Sequence, residues 1–114
     1  MHDKLIILAG DGLGSGDPTL GHVILANFLR LLAHRPDKPA AIVCWNAGVR
    51  LVCDGASAFE AQEHLRELAG QGVPVYACRT CLDHFGLLER VVVGQIGGMP
   101  QFVELMARHE TISL

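Results

Sequence analysis

The chain has 114 residues, half of them hydrophobic, with a formal net charge of −3, a mean hydropathy of +0.32 and an isoelectric point near 6.0. That length suits one domain with a sizeable core, and the nine Lys and Arg are scattered, which argues against nucleic acid as a partner. Apolar runs stop well short of the roughly 20 residues of a membrane span, no signal peptide precedes the first of them, and the four cysteines are expected to be reduced and cytoplasmic.

Lys4 to Ala9 is a continuous apolar run, as expected of a strand covered on both faces. Gly10 to Asp17 then forms a glycine-rich turn, with Asp17 as helix cap and Pro18 at the first helical position. Leu20, Val23, Ile24, Phe28, Leu31 and Leu32 recur at helical spacing and predict a first helix to about His34. After a polar turn, Ala40 to Asn46 reads as a second strand. Ala47 to Gly55 keeps neither period and is expected to be a loop that presents Cys53. Ser57, with Glu60 completing a capping box, starts a helix to about Ala69 whose inner stripe is Phe59, Leu65 and Leu68; Gly70 and Gly72 end it.

Val73 to Ala77 is a third strand that delivers Cys78-Arg79-Thr80-Cys81 to a loop. Leu82 to Leu88 reads as a short helical segment, Arg90 to Val93 as a fourth strand, Pro100 to His109 as the last helix and Thr111 to Leu114 as a closing strand. His34 and His109 near helix ends suit the local dipole. Strands alternating with helices predict one α/β domain over residues 1–114, a three-layer α/β/α sandwich around a mostly parallel five-stranded sheet.

Ligands of such a sheet gather beyond the carboxyl ends of its strands. The loops expected there are Gly10 to Asp17, Asn46 to Gly55, Cys78 to Asp83 and Gly94 to Met99, so one rim collects three cysteines and most glycines. Cys44, inside a strand, reads as an inert small hydrophobe. Cys78 is the candidate nucleophile: it ends a strand beside Arg79 and amides that favour a thiolate. Cys81, three residues on, is placed to resolve it or to form a disulfide with it. Cys53 is either a second sulfur stop or a structural thiol.

Three chemistries compete for Cys-x-x-Cys. Zinc needs two more ligands, and only His84 lies nearby. A thioredoxin-like motif opens a long helix after the first βαβ strand, whereas this one opens a short segment after the third. A persulfide carrier needs one accessible thiolate, a polar surround and a docking surface, and the rim is expected to offer all three. The glycine-rich turn is no nucleotide motif: Ser15 stands where a third dinucleotide-loop Gly belongs, and His22 and Val23 replace the Lys and Ser/Thr of a phosphate loop. Glycines that permit a tight turn account for it, and Met99, Phe102 and Met106 read as core. No cofactor and no metal are expected.

The order of Asp11 to Gly21, Asn46-Ala47-Gly48-Val49-Arg50-Leu51 with Cys53-Asp54-Gly55, Ala77-Cys78-Arg79-Thr80-Cys81-Leu82-Asp83-His84-Phe85-Gly86 and Val93-Gly94 resembles the DsrE/DsrF-like sulfur-relay family. Its nearest likeness is to the C-terminal domain of the YedF branch, associated with selenium metabolism. The resemblance implies a three-layer α/β fold, assembly into trimers or hexamers, and sulfane sulfur carried as a persulfide at the position of Cys78. It also implies a TusA-like sulfur carrier or other thiol protein as partner; this chain starts at the first strand of the DsrE-like domain, so such a carrier would be a separate protein. The alternative reading is a non-catalytic module that docks that carrier.

Overall fold

A computed structural model describes residues 1–114. Five strands, β1 (Lys4–Leu8), β2 (Ala41–Cys44), β3 (Val75–Cys78), β4 (Gln95–Gly97) and β5 (Glu110–Ser113), form one sheet in the order β4-β3-β2-β1-β5. Every pairing is parallel. The helices are α1 (Pro18–His34), α2 (Phe59–Gly70), α3 (Arg79–His84) and α4 (Met99–Arg108). Strands one to four advance across the sheet in one direction and the chain then returns to its far edge. Right-handed crossovers therefore put α1 and α2 on one face and α4 on the other. β1 and β2 have helices on both sides, and their apolar residues Leu5–Leu8 and Ala41–Cys44 are almost wholly buried. No helix is long and apolar enough to cross a membrane.

The first helix begins as expected, with the Thr19 amide donating to Asp17 Oδ1 at 3.2 Å and Pro18 in its first turn. Its inner face differs. Leu20, Val23, Ile24 and Leu31 are 43–58% exposed, while Gly21, Leu25, Ala26, Leu29, Leu32 and Ala33 are buried. The helix carries two apolar stripes, and the one with small residues faces inward because it allows close approach. A Cβ on Gly21 would lie 3.0 Å from the Leu13 carbonyl oxygen. Phe59 likewise turns outward, 62% exposed. The expected capping box is absent: Ala58 is the N-cap of α2 and no side chain caps it.

Three further expectations are corrected. Asn46–Val52 is a 3-10 helix rather than a loop. The helix expected over Leu82 to Leu88 is α3, which starts three residues earlier because Cys78 is both the end of β3 and the N-cap of the helix. Arg90 to Val93 is not the fourth strand. Val91 forms an isolated antiparallel bridge with Cys53, and the Val92 and Val93 amides both donate to the Val52 carbonyl. Gly94 then turns the chain at φ +72°, against the Val75 carbonyl, so that Gln95–Gly97 pairs with β3. Left-handed backbone at such close quarters is tolerated by glycine alone. Half of the rim loop expected at Gly94 to Met99 is thus strand, and Met99 already opens α4.

On the α4 face, Phe102 is fully buried, its ring 6.4 Å from Trp45 and 6.3 Å from Tyr76. Cys44, within β2, is packed in the core, as expected of a small hydrophobe. It is wholly buried, and desolvation pushes its pKa from an ordinary 9.0 to about 12. The sign of the consequence follows from linkage. Above pH 9 the unfolded chain loses this proton and the folded chain keeps it, so stability is present below pH 9 and falls as pH rises towards 12. Unfolding free energies from denaturant titrations over that range are expected to fall by about 1.4 kcal/mol per pH unit from this thiol, and Cys44→Ala to remove that part of the slope.

Candidate thiol site

The site forms where the 46–52 segment crosses the carboxyl ends of β1 and β2 and meets α3. Gly48 makes the crossing close. It is buried, and a Cβ there would lie 2.1 Å from the Leu8 carbonyl oxygen, which already accepts the Trp45 amide at 3.1 Å. Asn46 opens the segment at φ +50°, the only non-glycine residue with positive φ. Asparagine is among the few side chains that adopt this conformation. It aims the Asn46 amide at Cys81, whose Sγ accepts it at 3.0 Å.

Cys78 and Cys81 are neighbours, as the spacing predicts, but Cys81 rather than Cys78 is the more exposed of the two. Cys78 is 3% exposed, whereas Cys81 is half-buried. The accessible thiol expected at Cys78 is therefore not there: at the junction of β3 and α3 Cys78 belongs to the hydrophobic core. Burial raises the Cys81 pKa, the Asn46 amide opposes this, and the adjacent Cys78 raises it again through a hydrogen bond and like charge. Arg79 is exposed and enters no ion pair.

Cys53 sits apart from this pair, buried at the end of the 46–52 segment, with its Sγ donating to the Val49 carbonyl at 3.3 Å. Desolvation first, and then Asp54, push its pKa up, against the opposing Arg90. It lines a groove of about 260 Å³ with Asp11, Arg50, Asp54, Phe85 and Leu87. Sequence reasoning missed Gln62, a polar residue that falls on the buried stripe of α2 with Ala61 and Leu65. That misplacement was the available signal. Its Nε2 donates to the Leu51 carbonyl at 3.0 Å and the Cys53 carbonyl at 2.6 Å, which anchors the segment that carries Asn46. It missed as well the stacking of Arg50 on Phe85, with the guanidinium carbon 4.7 Å from the ring centroid. No three His, Cys, Asp or Glu side chains converge as a metal cluster.

These exposures set an order of reaction. A neutral-pH alkylating probe on the native protein is expected to label Cys81 first, Cys78 and Cys53 more slowly, and Cys44 only on unfolding. Mass mapping of the time course checks it, and labelling of Cys44 ahead of Cys81 would contradict the burial.

Three solved structures share the fold. The ychN protein from E. coli aligns over 100% of both chains at a TM-score of 0.71 with 18% identity. MTH1491 from Methanobacterium thermoautotrophicum, a protein of unknown function, aligns over 97% of each at 0.70 and 18%. BT1422 from Bacteroides thetaiotaomicron, a conserved protein of unknown function, aligns over 98% of this chain and 95% of its own at 0.65 and 22%. No curated protein sequence matches the chain. A family model does, over residues 23–113, a span from α1 through β5 that includes all four cysteines, and the chain belongs to the DsrE/DsrF-like family.

Proposed function

We propose that the protein is a sulfur-relay carrier in which Cys78 holds sulfane sulfur as a persulfide and Cys81 controls its release. Family membership supports the relay in general, and the observation that carries the finer reading is the contact between a buried thiol and a half-buried one. The Cys78 thiolate attacks the outer sulfur of a donor persulfide, R–S–SH, giving Cys78–S–SH and releasing the donor thiolate. Shielding at 3% exposure then protects the sulfane sulfur from solvent thiols. Two exits balance: an acceptor thiolate attacks the outer sulfur and restores the Cys78 thiolate, or the Cys81 thiolate attacks the inner sulfur, forming a Cys78–Cys81 disulfide and expelling HS⁻. α3 has only six residues, and an opening of this short helix is the motion that admits a donor. Arg79, exposed at the start of α3, is available to an anionic donor surface, and Cys53 serves as a secondary sulfur stop. A TusA-like carrier fits the donor or acceptor role, and selenium in place of sulfur follows the same steps. The test is incubation with a sulfane-sulfur donor, persulfide-specific alkylation and peptide mapping; a protein that gains no sulfur at residues 78–81 is not such a carrier.

A second reading, a non-catalytic module that docks a sulfur carrier or assembles with itself as a trimer or hexamer, is favoured by the apolar surface of Leu20, Val23, Ile24, Leu31 and Phe59. An assembled or carrier-binding protein that takes up no sulfur supports this reading over the first.

A further inference from the structure

The groove beside Cys53 is lined by neither Cys78 nor Cys81. We propose that it binds a small α-amino acid with a short apolar or thiol side chain, the carboxylate held by Arg50 and the ammonium by Asp11. Both side chains line the groove, and no Lys or Arg pairs with Asp11 and no carboxylate with Arg50. Arg50 enters no ion pair and rests on the Phe85 ring at 4.7 Å, which fixes the plane of its guanidinium fork for a carboxylate. The one basic ring within 4 Å of the Asp11 carboxylate is His22, with Nε2 3.8 Å from Oδ2.

The third charge on the wall, Asp54, is already satisfied by Arg90 Nε at 2.5 Å. Such a wall discriminates by charge. A phosphate or other dianion drawn to Arg50 meets two carboxylates, and a simple cation drawn to Asp11 meets Arg50; a zwitterion satisfies both ends at once. Phe85, Leu87 and Ala56 supply apolar surface beside Gly55, Ser57 and the edge of Cys53, which suits a methyl or thiol side chain better than a charged one. The volume of about 260 Å³ leaves room for a single small molecule.

The site is independent of whether Cys78 carries sulfur, and an NMR titration of the reduced protein reads it separately. L-cysteine and L-alanine are expected to give saturable amide shifts at residues 50–57 and 85–87. Cysteamine, which lacks the carboxylate, and 3-mercaptopropionate, which lacks the ammonium, are expected to bind at least about tenfold more weakly, as are L-cysteine with Arg50→Gln and with Asp11→Asn. The proposal fails if L-cysteine and L-alanine give no saturable shift in the groove. It fails equally if cysteamine, or the Arg50→Gln protein, binds as tightly as its reference.

Discussion

Cys78→Ser is expected to reduce sulfur loading to the background of an unreactive protein, while Cys81→Ser still loads but loses its internal exit. The asymmetry follows from where the two sulfurs sit. Cys78 ends β3 and caps α3, and at 3% exposure a persulfide formed there is covered by the fold. Cys81 lies on the outer side of the pair, half-buried, with its sulfur fixed by the Asn46 amide. Its pKa is raised, so at neutral pH it is mostly protonated and attacks the neighbouring persulfide slowly; hydrosulfide release is expected to speed up as pH rises. Removing Cys81 therefore lengthens the life of the loaded form and abolishes the Cys78–Cys81 disulfide that accompanies release. Persulfide trapping with mass mapping measures loading, and sulfide evolution measures release. Loading of Cys78→Ser equal to that of the unchanged protein would place the sulfur on another thiol and overturn the assignment.

Gly48→Ala is expected to destabilise the protein by at least about 3 kcal/mol, enough to leave it largely unfolded if its stability is ordinary. The added methyl would stand 2.1 Å from the Leu8 carbonyl oxygen and 2.9 Å from its carbon. These are backbone atoms of a central strand, so no rotamer change relieves the clash. Leu8 cannot retreat without loosening the sheet, and the 46–52 segment cannot lift without losing the Trp45 amide bond to the same oxygen. Lifting would also withdraw the Asn46 amide from Cys81, so any folded residue of this variant is expected to show faster Cys81 alkylation. Gly16→Ala is the control. A Cβ there meets nothing and its φ is not left-handed, so its effect is expected within about 0.5 kcal/mol of neutral. Urea midpoints for the two variants decide the matter, and similar midpoints would refute the close crossing.

How much of the protein was legible beforehand depends on the range over which each feature is decided. The apolar run Leu5–Leu8, the Asp17 cap with Pro18, and the helical spacing around α1 and α4 are local, and each appears where periodicity and capping place it. The parallel three-layer fold followed, because strands alternating with helices have few other ways to bury both sheet faces. The fourth strand was misplaced because Val91 to Val93 are as strand-like as Gln95–Gly97. The choice between them was made by Gly94 against Val75 and by the Val52 carbonyl that captures two amides, contacts that no local pattern contains.

The thiol site divides along the same line. Chain order alone determined that Cys78 and Cys81 are neighbours, since three residues separate them at a strand-to-helix junction, and that Cys44 is inert, since it lies within a central strand. Only the tertiary structure decided which thiol meets solvent, because burial of Cys78 comes from its place in the packed core rather than from its spacing to Cys81. Only it brought Asn46 to Cys81 across 35 residues, turned one apolar stripe of α1 inward and the other outward, and laid Arg50 on Phe85. Such choices are made by packing, where two locally equivalent faces compete for one core and the closer fit wins.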